Sequence, residues 1–135
     1  MAPGRKKVFE SLHFELWVDE PKRLMVCVRT ETPFATLIEL HAAFALLFRA
    51  MDGLGRSKYL LLCDIRRAVG RNDPAFEEAM SKIRPRWLGG FRRVAVLVKS
   101  ALGSMQIKRY ARDDGIERLI SSDENEIDRY LNEAP

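Results

Sequence analysis

The sequence predicts a single α/β domain on a mixed five-stranded sheet, with the element order β-β-α-β-α-β-α-β-α. Three observations carry that expectation. Two strand-like runs, His13–Val18 and Leu24–Val28, lie a short turn apart, as in a hairpin. Of two later runs that read as strands, Tyr59–Ile65 and Arg93–Val98, the first is apolar on both faces, as expected for a central parallel strand. Between and after them come stretches of helical period, and alternating strands and helices build parallel strands joined by right-handed crossovers.

The elements follow in order. Phe14, Leu16 and Val18 alternate with His13, Glu15 and Trp17, the period of a half-buried strand. Asp19–Lys22 makes the turn into Leu24–Val28. Thr32 and Pro33 read as N-cap and first residue of a helix. It runs through Phe34, Leu37, Ile38, His41, Phe44, Leu47, Phe48 and Met51 and stops at Asp52-Gly53. After the third strand, Asp73-Pro74 opens a second helix, which Pro85 is expected to stop after Arg84. Ser100 caps a third helix through Arg112, with Leu102, Met105 and Tyr110 facing inward, and Asp114-Gly115 breaks it. Glu117–Ile120 forms the fifth strand. Ser121 or Ser122 with Glu124 resembles a capping box for a last helix striped by Ile127, Tyr130 and Leu131. Residues 1–7 read as a mobile basic tail and 8–135 as the domain.

Composition narrows the function. With 135 residues, 47% hydrophobic and 31% charged, the chain is long enough for one real core. Its net charge of +4 is spread among acids along most of the chain, which argues against a nucleic-acid surface. The basic start is followed by no apolar segment of signal-peptide type, and Leu40–Phe48 is too short to span a bilayer. A cytoplasmic location is therefore expected. Cys27 and Cys63 sit in separate apolar runs and read as buried reduced thiols, a redox pair only if their strands are neighbours. His13 and His41 have no clustered Cys or carboxylates to make a metal site with them. Ser100 and Ser104 flank Gly103 in neither a phosphate-loop nor a nucleophile-elbow pattern, so no cofactor and no reaction are expected.

What remains is binding. The segment Tyr59–Phe76 hands a strand to a helix across a loop carrying Arg66, Arg67 and Arg71, where α/β proteins place function. Asp73 and Ser100 mark helix starts whose N–H groups favour negative charge. With parallel strands, both starts share one sheet edge with Arg66, Arg67, Arg71 and Lys99, a surface for an anionic headgroup, a phosphopeptide or an acidic protein. The competing reading is that Asp73 satisfies its own helix start and the basic side chains are merely solvated. Asp64, a lone carboxylate, reads as orienting the loop rather than as a catalytic acid. Arg84-Pro85-Arg86-Trp87 with Arg92 and Arg93 offers stacking on bases or a membrane interface, or else a loop in which Trp87 covers the core edge. On the first helix, Phe34, Leu37, His41, Phe44 and Phe48 exceed what one buried face needs. They suggest a partner or homodimer interface, or the wall of an apolar pocket.

The element order, the strand ends Leu61-Leu-Cys-Asp-Ile65 and Arg93–Val98, and the closing segment Glu117–Leu131 resemble the SpoIIAA-like branch of the STAS (anti-sigma-factor antagonist) fold, from Phe14 to Leu131. That branch is also grouped with the CRAL-TRIO lipid-binding fold. The resemblance implies a non-enzymatic regulatory or protein-interaction module, with a small-ligand or lipid carrier as the alternative. STAS antagonists are switched by phosphorylation of a Ser or Thr near the start of the helix after this loop. Here Asp73-Pro74-Ala75 stands at that place, and neither Pro74 nor Ala75 has a hydroxyl to accept phosphate. An apolar cavity beneath Thr32–Met51 would indicate the carrier, and tight packing there the interaction module.

Overall fold

A computed structural model describes residues 4–70, 73–101, 105, 108 and 114–134. The described strands are β1 (Arg5–Glu10), β2 (Phe14–Asp19), β3 (Leu24–Arg29), β4 (Leu60–Asp64), β5 (Val94–Leu97) and β6 (Leu119–Ser121). The helices are α1 (Leu37–Leu54), α2 (Pro74–Leu88) and α3 (Glu124–Asn132), with a 3-10 turn at Arg56–Lys58. Ala101, Met105 and Lys108 are helical, whereas Leu102, Tyr110 and most of the helix expected from Ser100 to Arg112 lie outside the described residues, as does Arg71.

The sheet therefore has six strands rather than five, lying side by side in chain order. β1, β2 and β3 are antiparallel neighbours, and β3 to β6 are parallel. Parallel strands laid down one beside the next, with connections of one hand, carry successive helices to the same face. Accordingly α1 and α2 cover one face, sharing a core with Phe14, Leu16, Met25, Cys27, Leu61, Cys63, Val94 and Val96. On the other face Ile127 and Leu131 of α3 pack over Leu24, Val26, Leu60, Leu62, Ala95 and Leu97. Each of those two side chains removes enough apolar surface from water to contribute about 1.5–3 kcal/mol. With both faces covered, β4 and β5 need no polar side, which is why their sequences do not alternate.

Several boundaries differ from the sequence reading, each for a local reason. The expected tail contributes Arg5–Lys7 to β1, which pairs with β2 across a bulge between Lys7 and Phe9. This is an edge strand, mostly exposed, and lysines are what such edges carry to discourage pairing with other chains. Lys7 lies over the Trp17 ring at 5.4 Å. α1 begins at Leu37 rather than Pro33. Its cap is Thr36, which accepts from the Glu39 N–H at 3.1 Å while the Glu39 carboxylate accepts from the Ala35 N–H at 3.3 Å. It ends past Gly53, at Gly55, whose φ of 90° is left-handed and therefore suited to glycine. α3 is capped by Asp123, which accepts from Asn125 and Glu126, and not by Ser121 or Ser122.

α2 starts as expected, with Asp73 accepting from the Phe76 N–H at 3.2 Å, but runs through Pro85 to Leu88. Proline in a helix interior costs about 3 kcal/mol or more. Two features offset it: Ile83, Trp87 and Leu88 are buried, and the C-terminus is capped from outside. Arg56 Nη1 donates to the carbonyls of Arg86 (2.6 Å), Trp87 (3.2 Å) and Gly89 (2.8 Å), while its Nε donates to Asp52 at 2.7 Å. A guanidinium at a helix C-terminus satisfies orphan carbonyls and suits the dipole. Arg93 does the same for α3, donating to the Tyr130 carbonyl at 2.9 Å with its guanidinium over the Tyr130 ring.

Candidate functional site

The parallel strands β3 to β6 end on one edge of the sheet, and the arginine loop leaves β4 there. Asp64, the last residue of β4, accepts from Arg66 at both oxygens, Nε to Oδ1 at 3.0 Å and Nη2 to Oδ2 at 2.8 Å, as well as from the Arg66 backbone N–H at 3.1 Å. Arg66 also reaches Glu124 at the start of α3, 3.4 Å away. These partners hold the Arg66 guanidinium above its ordinary pKa, the Asp64 bond first among them. Arg67 donates to Glu31 at 2.8 Å and lies 3.8 Å from Glu15. The Glu31 carboxyl is held below its usual range by a bond to its own backbone and by Arg67. So the two described loop arginines each already carry carboxylates of this chain. Asp73 caps α2. Lys99 and Ser100 are exposed and follow β5, the strand beside β4, and so lie on the same edge.

The first-helix residues separate into two groups. Phe34, Phe44 and Phe48 are buried and are not available as an interface, a correction to the sequence reading. They join an aromatic cluster in which Phe44 meets Phe14 edge-on at 4.9 Å and Trp87 at 5.1 Å, geometries that aromatic pairs favour. Trp87 is accordingly a helical core residue rather than a loop residue, and its ring is not offered to a base or a membrane. Phe34 sits before the helix, with His13 stacked on it at 4.7 Å and the Arg29 guanidinium over it at 4.2 Å. Burial lowers the pKa of Arg29, which donates to the carbonyls of His13 and Thr30. His13 Nε2 lies 2.8 Å from Glu39. Leu37 and His41, by contrast, are exposed, together with Ile38, Ala42, Ala45 and Leu46. The two histidines are thus on opposite sides of α1, and no cluster able to hold a metal ion occurs among the described residues. Nor is any described helix long and apolar enough to cross a membrane.

Beneath α1, Leu40, Leu47 and Met51 are completely buried. Beneath α2 the packing leaves a space. A cavity of about 170 Å3 lies between α2 and strands β4 and β5, and its described lining is Cys63, Ile65, Met80, Arg84, Trp87, Leu88, Val96 and Arg118. Arg118 is ion-paired with Asp114, and both side chains are almost wholly buried, at 2% and 5% exposure. Arg118 Nε also donates to the Ile116 carbonyl at 3.3 Å. Among the described residues, two buried polar atoms here have no hydrogen-bond partner, Trp87 Nε1 and Asp114 Oδ2. Sequence reasoning passed over this pair, taking Asp114-Gly115 for a helix breaker. The available signal was an Asp and an Arg four residues apart beside two apolar segments.

Cys63 on the cavity floor is the register partner of Cys27 on the neighbouring strand, and both are buried free thiols. Burial, and then the Cys27 thiol beside it, push the Cys63 thiol well above its ordinary pKa. The thiolate is the nucleophilic form, so this environment keeps Cys63 inert. Compared with protein-family models, curated proteins and solved structures, the chain has no match.

Proposed function

We propose that this chain is a non-enzymatic regulatory module that acts by binding a protein partner, of the SpoIIAA-like (STAS) type but without that type's phospho-acceptor. The observation that carries this reading is the outward face of α1. Ile38 is 83% exposed and Leu46 50% exposed, and Leu37, Ala42 and Ala45 extend the same apolar side. A helix on a water-facing surface ordinarily turns charges outward, and a contiguous apolar face instead marks a contact site. Here the polar contribution comes from His41, Arg49 and Asp52, while Glu39 turns back to His13 and Ala35. Leu40, Leu47 and Met51 underneath are completely buried, which favours the interaction module over the carrier.

The arginine edge supplies a second contact of the kind expected for an acidic partner. An incoming carboxylate would exchange with Glu31 and Glu124, both exposed, on Arg67 and Arg66. Exposed pairs of this sort are worth about 0–1 kcal/mol, so exchange costs little and serves selectivity more than affinity. The test is affinity capture from the native cell with the wild-type chain and with an Ile38→Glu/Leu46→Glu variant. A specific partner should fall at least tenfold with the variant while thermal stability is unchanged. Equal capture by both chains would overturn the reading.

A further inference from the structure

We propose that the cavity under α2 is a binding site for a small neutral molecule with an apolar body and a single hydroxyl, about the size of phenol. At about 170 Å3 it is slightly larger than the roughly 150 Å3 engineered core cavity that stays dry and takes up benzene. That leaves room for a six-membered ring with a small head group, and none for the acyl chain of a lipid. The body is met by Ile65, Met80, Leu88 and Val96 and by the Trp87 indole.

That the ligand is neutral follows from how the walls are already paired. Two guanidiniums, Arg84 and Arg118, belong to the lining. Arg118 is ion-paired with Asp114 at almost complete burial, and Arg84 is engaged within the chain. Neither is spare positive charge for an anion, and the second Asp114 oxygen would repel one. A cation has Arg118 against it. Taking either ion out of water into apolar walls is costly without a partner of its own.

The head group is set by two orphans. Trp87 lines the cavity at 8% exposure, and its Nε1 is a donor with no acceptor among the described residues. Asp114 holds Arg118, another lining residue, through Oδ1, and its buried Oδ2 is an acceptor with no donor. Such orphans are rare enough in folded proteins to ask for an explanation. A carboxylate only accepts and an ammonium only donates, whereas a hydroxyl does both. One hydroxyl therefore supplies the two kinds of partner that the walls lack. With the thiol of Cys63 kept protonated, the site holds its ligand without attacking it. The site is separate from the outward face of α1, and neither proposal depends on the other.

Phenol and toluene share one shape, with a hydroxyl in the first where the second has a methyl, so the pair isolates the head group. The full chain is titrated with phenol, toluene, benzoate and benzylamine by calorimetry at neutral pH. Phenol should bind at least tenfold more tightly than toluene, and neither benzoate nor benzylamine should bind. In a cavity without polar partners the order reverses, because the hydroxyl gives up its bonds to water for nothing. The place of binding is read from the indole N–H signals of the two tryptophans by nuclear magnetic resonance. Trp17 Nε1 already donates to Glu15 at 3.1 Å and is the internal control. Phenol should move the Trp87 indole proton downfield beyond the ring-current shift that toluene gives, and leave that of Trp17 in place. Trp87→Phe, which keeps a ring and removes the donor, should reduce the preference for phenol over toluene at least fivefold. The Ile38→Glu/Leu46→Glu chain should bind phenol as the wild type does. If Trp87→Phe does not fold, the wild-type comparisons still decide. Toluene or benzoate binding as tightly as phenol, a Trp87 signal that phenol moves no further than toluene does, or no binding of phenol would each overturn the proposal.

Discussion

α1 and α2 lie on the same face of the sheet, one after the other in the chain, yet they dispose of their apolar side chains differently. α1 has more of them than the sheet can cover. Its inner row seals against β2 and β3, and the surplus is displayed outward as Leu37, Ile38 and Leu46. α2 has fewer, is interrupted by Pro85, and covers its part of the sheet incompletely, leaving the cavity above Cys63 and Val96. An excess is displayed as a surface, and a deficit is left as a space. The proposed partner contact comes from the first of these.

The contrast can be broken at either helix. Under α1, Leu47→Ala opens a void in sealed packing and should cost about 2–5 kcal/mol, read from the urea midpoint at unchanged slope. A loss below 1 kcal/mol would mean that α1 is as loosely seated as α2. Under α2 the opposite change applies. Val96→Leu adds a methylene to existing space and should stabilise by about 0.5–2 kcal/mol, the usual range for filling a cavity. In a core without room the same substitution would destabilise by about 1–3 kcal/mol, so the sign alone decides.

The smallest effect is a slope against pH. The Cys63 thiol in the folded chain lies above its ordinary value, about 8.5 in an unfolded chain. Above that pH the unfolded state gives up a proton that the folded state keeps, and stability falls as pH rises. Tyr59, raised chiefly by its hydrogen bond to Glu20, adds the same sign near pH 10. The melting temperature of Cys63→Ala should therefore decline less than that of wild type between about pH 8.5 and 10. Parallel curves would place Cys63 in a wetter setting than the closed floor described above.

How legible all this was depends on how local the cause is. β2 to β5 and α3 were readable because burial writes itself into period and apolar run length. β1 was not, since an exposed edge strand opening on Arg5-Lys6-Lys7 has no fully buried face to display. The start of α1 moved because Thr30 accepts from Thr32 and Phe34 is needed between Arg29 and Phe44, so the chain is still crossing the sheet edge where Thr32-Pro33 looked like a cap. The arginine loop was located correctly, but its neutralisation was invisible, because Glu31 and Glu124 come from far along the chain. The cavity was unreadable for a similar reason. It depends on how far α2 stands from the sheet, and no residue encodes that alone.

Arg56 has a consequence for how these two regions hold together. Its Nε is anchored to the last turn of α1 and its Nη1 to three carbonyls at the end of α2. Fraying of either helix end takes away the other's partner, which makes the pair a single cooperative unit. The lined space and the displayed face, though on different helices, therefore stand or melt together.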